Sequence, residues 1–132
     1  MGYKKPFFKV GDLYGSTANR PHPHRGLDFP VKAGSKIGSV SDGVVTGNGW
    51  SDVLGWYVIV KDNAGIYWGY NHLQQASNVA KGAIVKRGGL VGLVGATGSA
   101  ATGPHLHLTA SKEPNGNFAG ETLDPLKVLK GK

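Results

Sequence analysis

Glycine punctuates this chain along most of its length, and that limits what it can fold into. The 132 residues include 22 glycines, where about 9 would be expected at an average usage of roughly 7%. They are not gathered into a linker but fall between short runs of valine, isoleucine and aromatic residues. Glycine weakens helix interiors and supplies tight turns, so many short strands joined by turns are expected.

The runs themselves read the same way. Asp42-Gly43-Val44-Val45-Thr46-Gly47 turns into a short strand, Trp56 to Lys61 is β-rich, and Asp62-Asn63-Ala64-Gly65 is turn-forming. Ile66 to Leu73 then continues as the partner strand of a hairpin. A period of two puts Ile66, Trp68, Tyr70 and His72 on one face of that strand. Tyr67, Gly69, Asn71 and Leu73 take the other. A Lys81-Gly82 turn follows, Gly88-Gly89 opens a strand running to Gly95, and a loop from Ala96 to Gly103 leads into Pro104-His105-Leu106-His107-Leu108. Only the segment after Asp124 reads as a helix, with Asp124 as N-cap and Pro125 in the first turn. The expectation is an all-β, antiparallel, compact single domain spanning residues 1–132, with one short C-terminal helix. The chain is long enough for its own core.

Charge and cysteine content narrow the chemistry. The formal net charge is +7, which favours anionic partners. The lysines are scattered, however, and no helix-turn-helix, zinc-finger or RNP-type motif is present, so nucleic acid is not the expected partner. An anionic cell wall or membrane surface fits the charge equally well, as does a basic surface without a specific partner. No apolar run reaches the length of a membrane span, and membrane insertion is not expected. The start, Met1-Gly2-Tyr3-Lys4-Lys5-Pro6, is not followed by a long apolar stretch, and this reads as no signal peptide. The chain then acts where it is made, leaves by another route, or is a trimmed catalytic domain. Cysteine is absent, which leaves nitrogen and oxygen as the metal ligands available.

Four of the five histidines fall in three short clusters. His105 and His107 sit two apart, so on a strand they project to one face while Leu106 and Leu108 enter a core. His24 and Asp28 stand four apart, and Gly26 with Pro21, Pro23 and Pro30 makes a helix there unfavourable. Asp28 is then expected to point away from Leu27 and Phe29 at the entrance to a strand. His72 ends the Tyr70-Asn71-His72-Leu73 run, either as a core histidine or as part of a site. Imidazoles and a carboxylate are ordinary zinc ligands, and an open catalytic site uses three of them with water as the fourth. Tyr70 offers a hydroxyl that either orients a substrate oxygen or caps the sheet. His22 is expected to be exposed or at the substrate rim, and Trp50 either stacks on substrate or packs.

In this order, the three clusters resemble the lysostaphin/LytM-type zinc metallopeptidases, which cut peptide bonds in bacterial peptidoglycan. The pattern is H-x-x-x-D at His24-Arg25-Gly26-Leu27-Asp28, Y-x-H-L at Tyr70-Asn71-His72-Leu73, and H-x-H at His105-Leu106-His107 after Thr102-Gly103. Asp42-Gly43-Val44-Val45, Gly95-Ala96-Thr97-Gly98 and Asp124-Pro125 match as flanking features, so the resemblance runs from about residue 21 to 126. It implies a substrate groove over the main sheet. It also implies one Zn2+ held by His24, Asp28 and His107 with a bound water, and His72 and His105 as the catalytic histidines. Sequence reading by itself leaves open which of His105 and His107 binds metal.

The function so implied is a zinc-dependent endopeptidase acting on the stem peptide or cross-bridge of peptidoglycan at the bacterial cell wall. A monomer is expected, of phage-endolysin origin or trimmed from a secreted bacterial enzyme. The alternative is a non-catalytic wall-binding or hydrolase-activating module of the same fold. Three departures from the resembled pattern stand out. Leu108 and Thr109 replace the Phe-Glu that often follows H-L-H, Asn71 stands where a small residue is common, and the loop from Gly98 to Thr102 is slightly long.

Overall fold

The turn at Asp62–Gly65 forms as the sequence requires and sets the central hairpin. Gly65 takes a φ of 86°, a left-handed value that costs glycine nothing sterically. The Asp62 carboxylate accepts the Ala64 and Ile66 amides through Oδ1, each at 2.9 Å, and the Trp68 indole through Oδ2 at 2.9 Å. One side chain thus satisfies the turn and anchors the strand that leaves it.

The computed structural model describes Tyr14 and residues 25–130. Eight strands are β1 (Leu27–Phe29), β2 (Lys36–Gly38), β3 (Gly43–Ser51), β4 (Gly55–Asp62), β5 (Tyr67–Leu73), β6 (Ile84–Val85), β7 (Leu90–Leu93) and β8 (Leu106–Ser111). One helix, α1 (Pro125–Lys130), follows. The main sheet runs β1-β8-β5-β4-β3-β6, all antiparallel, and β2 pairs with β7 in a separate two-stranded sheet. The all-β expectation holds. The strand expected to reach Gly95 ends at Leu93, with Val94 making a single bridge to Leu73.

Alternation decides what lies inside. Leu27 and Phe29 of β1, Leu106 and Leu108 of β8, Trp68 and Tyr70 of β5, and Val58 and Val60 of β4 are all fully buried. Ile37 of β2 and Val91 of β7 close the same core from the small sheet. Burial of each such aliphatic or Phe side chain contributes about 1.5–3 kcal/mol. The neighbours between them in sequence face the other side of the main sheet, which is open at Asp28 and His107 but covered over Asn71 and Thr109. α1 is capped as expected, with the Leu126 amide donating to Asp124 Oδ1 at 3.0 Å. Among the described residues no helix is long and apolar enough to cross a membrane.

One face assignment is overturned. Strict alternation put His72 on one face with Trp68 and Tyr70, and Leu73 on the other. Instead β5 carries a bulge: Val58 pairs with Tyr70 and Trp56 with Leu73, so β5 spends three steps against two on β4. His72 absorbs the extra residue with a φ of 64°, a region that non-glycine residues rarely enter. Bulges re-aim side chains next to functional sites. Here the result is that Leu73 drops into the core with no exposed surface, and His72 lies beside His105 and His107.

Candidate active site

Asp28 and His107 are cross-strand partners on β1 and β8. With Leu27, Phe29, Leu106 and Leu108 committed to the core, both must project from the open face. Asp28 Oδ1 lies 2.9 Å from His107 Nδ1 and 3.9 Å from His105 Nε2. His105 precedes β8 and is placed by its amide, which donates to the Gly95 carbonyl at 3.2 Å. The His72 ring centroid is 4.8 Å from that of His105 and 5.9 Å from that of His107. Four side chains from all three sequence clusters therefore meet. His24 and His22 lie outside the described residues.

Backbone carbonyls set the protonation pattern. A carbonyl only accepts, so His72 Nδ1 carries the proton it shares with Thr97 O at 2.7 Å. His105 Nδ1 likewise donates to Gly103 O at 2.8 Å. In each neutral ring the lone pair is left on Nε2. Burial, above all, lowers the His72 pKa from 6.5 to about 4, with His105 and His107 adding to the effect and the Thr97 carbonyl opposing it. His72 is only 2% exposed, and it is a neutral base near neutral pH.

Thr97 is a residue whose part the sequence did not reveal beyond a Thr-Gly flank. Its carbonyl holds His72, while its hydroxyl donates to Leu73 O at 2.6 Å and accepts from the Trp56 amide at 3.2 Å. It therefore clamps the bulge from both sides. Gly55 makes room for it, since a Cβ there would overlap Thr97 Oγ1. Tyr70, in contrast, is withdrawn from the site. It is fully buried, and its hydroxyl accepts the Val40 amide at 3.0 Å.

The donor set suits a divalent metal of the zinc type. Zn–N and Zn–O bonds of about 2.0–2.2 Å place neighbouring tetrahedral ligands roughly 3.3 Å apart. The Asp28–His107 separation of 2.9 Å is close to that edge, whereas the His105–Asp28 separation of 3.9 Å is longer. Among the described residues no group of three His, Cys, Asp or Glu side chains converges as a complete metal site. Asp28 and His107 could supply two donors to such a metal.

One carboxylate and three imidazoles thus gather beside the antiparallel sheet. Residues 22–125 match Peptidase family M23, and the chain belongs to that family. The chain is 35% identical to the glycyl-glycine endopeptidase ALE-1 of Staphylococcus capitis, over 93% of its own length and 34% of that protein. It is 40% identical to the peptidoglycan DD-endopeptidase ShyB of Vibrio cholerae over 69% of its length and 21% of that protein. It thus spans about a fifth to a third of these curated relatives. The catalytic domain of the antimicrobial peptidase lysostaphin from Staphylococcus simulans superposes with a TM-score of 0.81 at 30% identity, covering 93% of this chain and 92% of that domain.

Proposed function

We propose that this chain is a zinc-dependent endopeptidase that hydrolyses peptide bonds in bacterial peptidoglycan. The observation that carries the reading is the Asp28–His107 pair at 2.9 Å beside the neutral, carbonyl-anchored His72. His24, Asp28 and His107 would hold the metal through two imidazoles and one carboxylate. Bound zinc supplies Lewis acidity, lowering the pKa of water from 15.7 toward 7 and polarising the scissile carbonyl.

The protein's own groups supply the proton chemistry. Nε2 of His72 and of His105 is the atom that takes up a proton in each ring, since Nδ1 is already committed to a carbonyl. One accepts the proton of the attacking water and returns it to the leaving amine. The other, once protonated, donates to the developing oxyanion. Thr97 and Gly103 keep both rings oriented through the cycle.

Similarity to ALE-1 and ShyB supports a peptidoglycan amide as the substrate, and the +7 charge supports retention on an anionic wall. Within this reading we place the chain as a phage lytic domain, which meets the wall at host lysis or from the particle. Digestion of purified peptidoglycans of different bridge chemistry, with and without a chelator, tests the reading. Mass spectrometry of new amine termini is expected to show chelator-sensitive cleavage and to name the bond. A protein that binds zinc and walls but opens no bond on any of them would instead be the non-catalytic module.

A further inference from the structure

Two of the departures from the resembled pattern, Asn71 and Thr109, converge in space on a third residue that carries no sequence signal. Asn117 lies in the loop after β8 and is 4% exposed. Its amide pairs reciprocally with that of Asn71, each Nδ2 donating to the other's Oδ1 at 2.8 Å. Asn71 Nδ2 also donates to the His107 carbonyl at 3.1 Å. Because that carbonyl only accepts, the Asn71 amide has one permitted orientation, and so therefore has Asn117. The Thr109 hydroxyl must then donate to Asn117 Oδ1, at 2.7 Å. Gly69 provides the seat, since a Cβ there would strike both Asn117 Oδ1 and Thr109 Oγ1.

The same loop is tied at its other side to the first motif. Arg25 Nη2 donates to the carbonyls of Gly116 at 2.8 Å and Gly120 at 3.1 Å. One short segment, 112–120, therefore hydrogen-bonds to the residue after His24, to the residue before His72 and to the residue two after His107. It also carries Phe118, packed edge-on against Tyr57 at 5.0 Å on the open face of β4. The segment is internally braced. Phe118 and Ala119 amides donate to Asn115 O, and the Glu121 amide donates to Glu113 Oε2 at 2.7 Å.

We infer that the 112–120 loop is a strap fixing the three motifs relative to one another, with Asn117 as its positioning residue. The Asn71–Asn117–Thr109 network then does the work of a carboxylate following the H-x-H strand by holding the backbone of His107, while the Gly116 and Gly120 carbonyls of the same loop hold, through Arg25, the segment that leads to Asp28. Outer partners of metal ligands typically change metal affinity or activity by about 10–100-fold. This inference rests on the metallopeptidase reading.

The test uses the whole chain loaded with zinc. Asn117→Ala is expected to weaken zinc, measured by chelator competition, by about 10–100-fold and to lower kcat over the same range with KM changed little. Asn71→Ala is expected to behave alike, and the double variant to be no worse than the worse single one, because both break one unit. Should Asn117→Ala fold poorly, Thr109→Val removes one hydroxyl at nearly constant volume. It is expected to show the same direction of effect, and Thr109→Ser to restore both zinc affinity and kcat. Wild-type zinc affinity and kcat in folded Asn117→Ala or Thr109→Val, or losses that simply add, would overturn the strap. Wild-type protein that takes up no zinc and cleaves no wall would instead overturn the underlying reading.

Discussion

Replacing Tyr70 with phenylalanine separates a structural hydroxyl from a catalytic one. Tyr70 stands two residues before His72, yet its ring is on the core face and its hydroxyl accepts the Val40 amide at 3.0 Å. Neither residue has exposed surface. Removing the hydroxyl leaves a buried N–H without this partner, which costs about 1–3 kcal/mol. At about 2.1 cal/mol/K per residue, unfolding a chain of 132 residues carries an entropy of about 0.28 kcal/mol/K. Tm should therefore fall by about 4–11 °C.

Alkaline pH gives a second readout on the same hydroxyl. Burial, chiefly, raises the Tyr70 pKa from 10.0 to about 12, so the fold favours the neutral phenol. Its contribution is complete below pH 10 and is lost as pH rises through 12, because the unfolded chain ionises first. At pH 11 the loss is about 1.4 kcal/mol. Phenylalanine does not titrate, and all other groups are shared. The stability gap between wild type and Tyr70→Phe, from denaturant titrations, should therefore narrow by about 1.4 kcal/mol between pH 7 and pH 11. Turnover at pH 7 should be unchanged. A large fall in kcat with equal stability at both pH values would refute the placement and return Tyr70 to the substrate site.

Three further outcomes follow from the site. His107→Ala should lose stoichiometric zinc in elemental analysis, and full occupancy would remove His107 from the ligand set. His72→Ala should keep its zinc while steady-state turnover falls by about 10²–10⁴, the range for a lost acid–base group; near-normal turnover would leave His72 a merely buried histidine. Gly98 sits at a φ of 87°, and a Cβ there would strike Gly55 N and Val53 O. Gly98→Ala should therefore cost more than the roughly 1–2 kcal/mol of a left-handed residue and lower kcat too, since Thr97 moves with it. Thermal unfolding and turnover measured together check this, and an unchanged Tm would contradict the packing.

Much of the site was legible along the chain because alternation is a local property. Leu27 and Phe29 flank Asp28, and Leu106 and Leu108 flank His107, so once these four enter the core the polar residues between them have one face left. The same reasoning failed at His72. Its flanking residues alternate correctly up to Tyr70, but an extra residue in β5 shifts the phase. That shift is held by Thr97 and by the Leu54 carbonyl, which accepts the His72 amide at 2.7 Å. Both partners are remote in sequence, and no window around His72 contains them.

The sequence by itself determined the chemical groups, the strand-rich architecture, the family resemblance and the outward direction of Asp28 and His107. Tertiary structure alone decided the face His72 takes, the nitrogen that carries its proton, the burial of Tyr70 and the convergence of Asn71, Thr109 and Asn117. The physical reason is one of range. Hydrophobic period and turn chemistry act over a few residues, whereas a bulge, a tautomer and a buried amide pair are each fixed by a hydrogen-bond partner that folding brings in from 25 or 46 residues away.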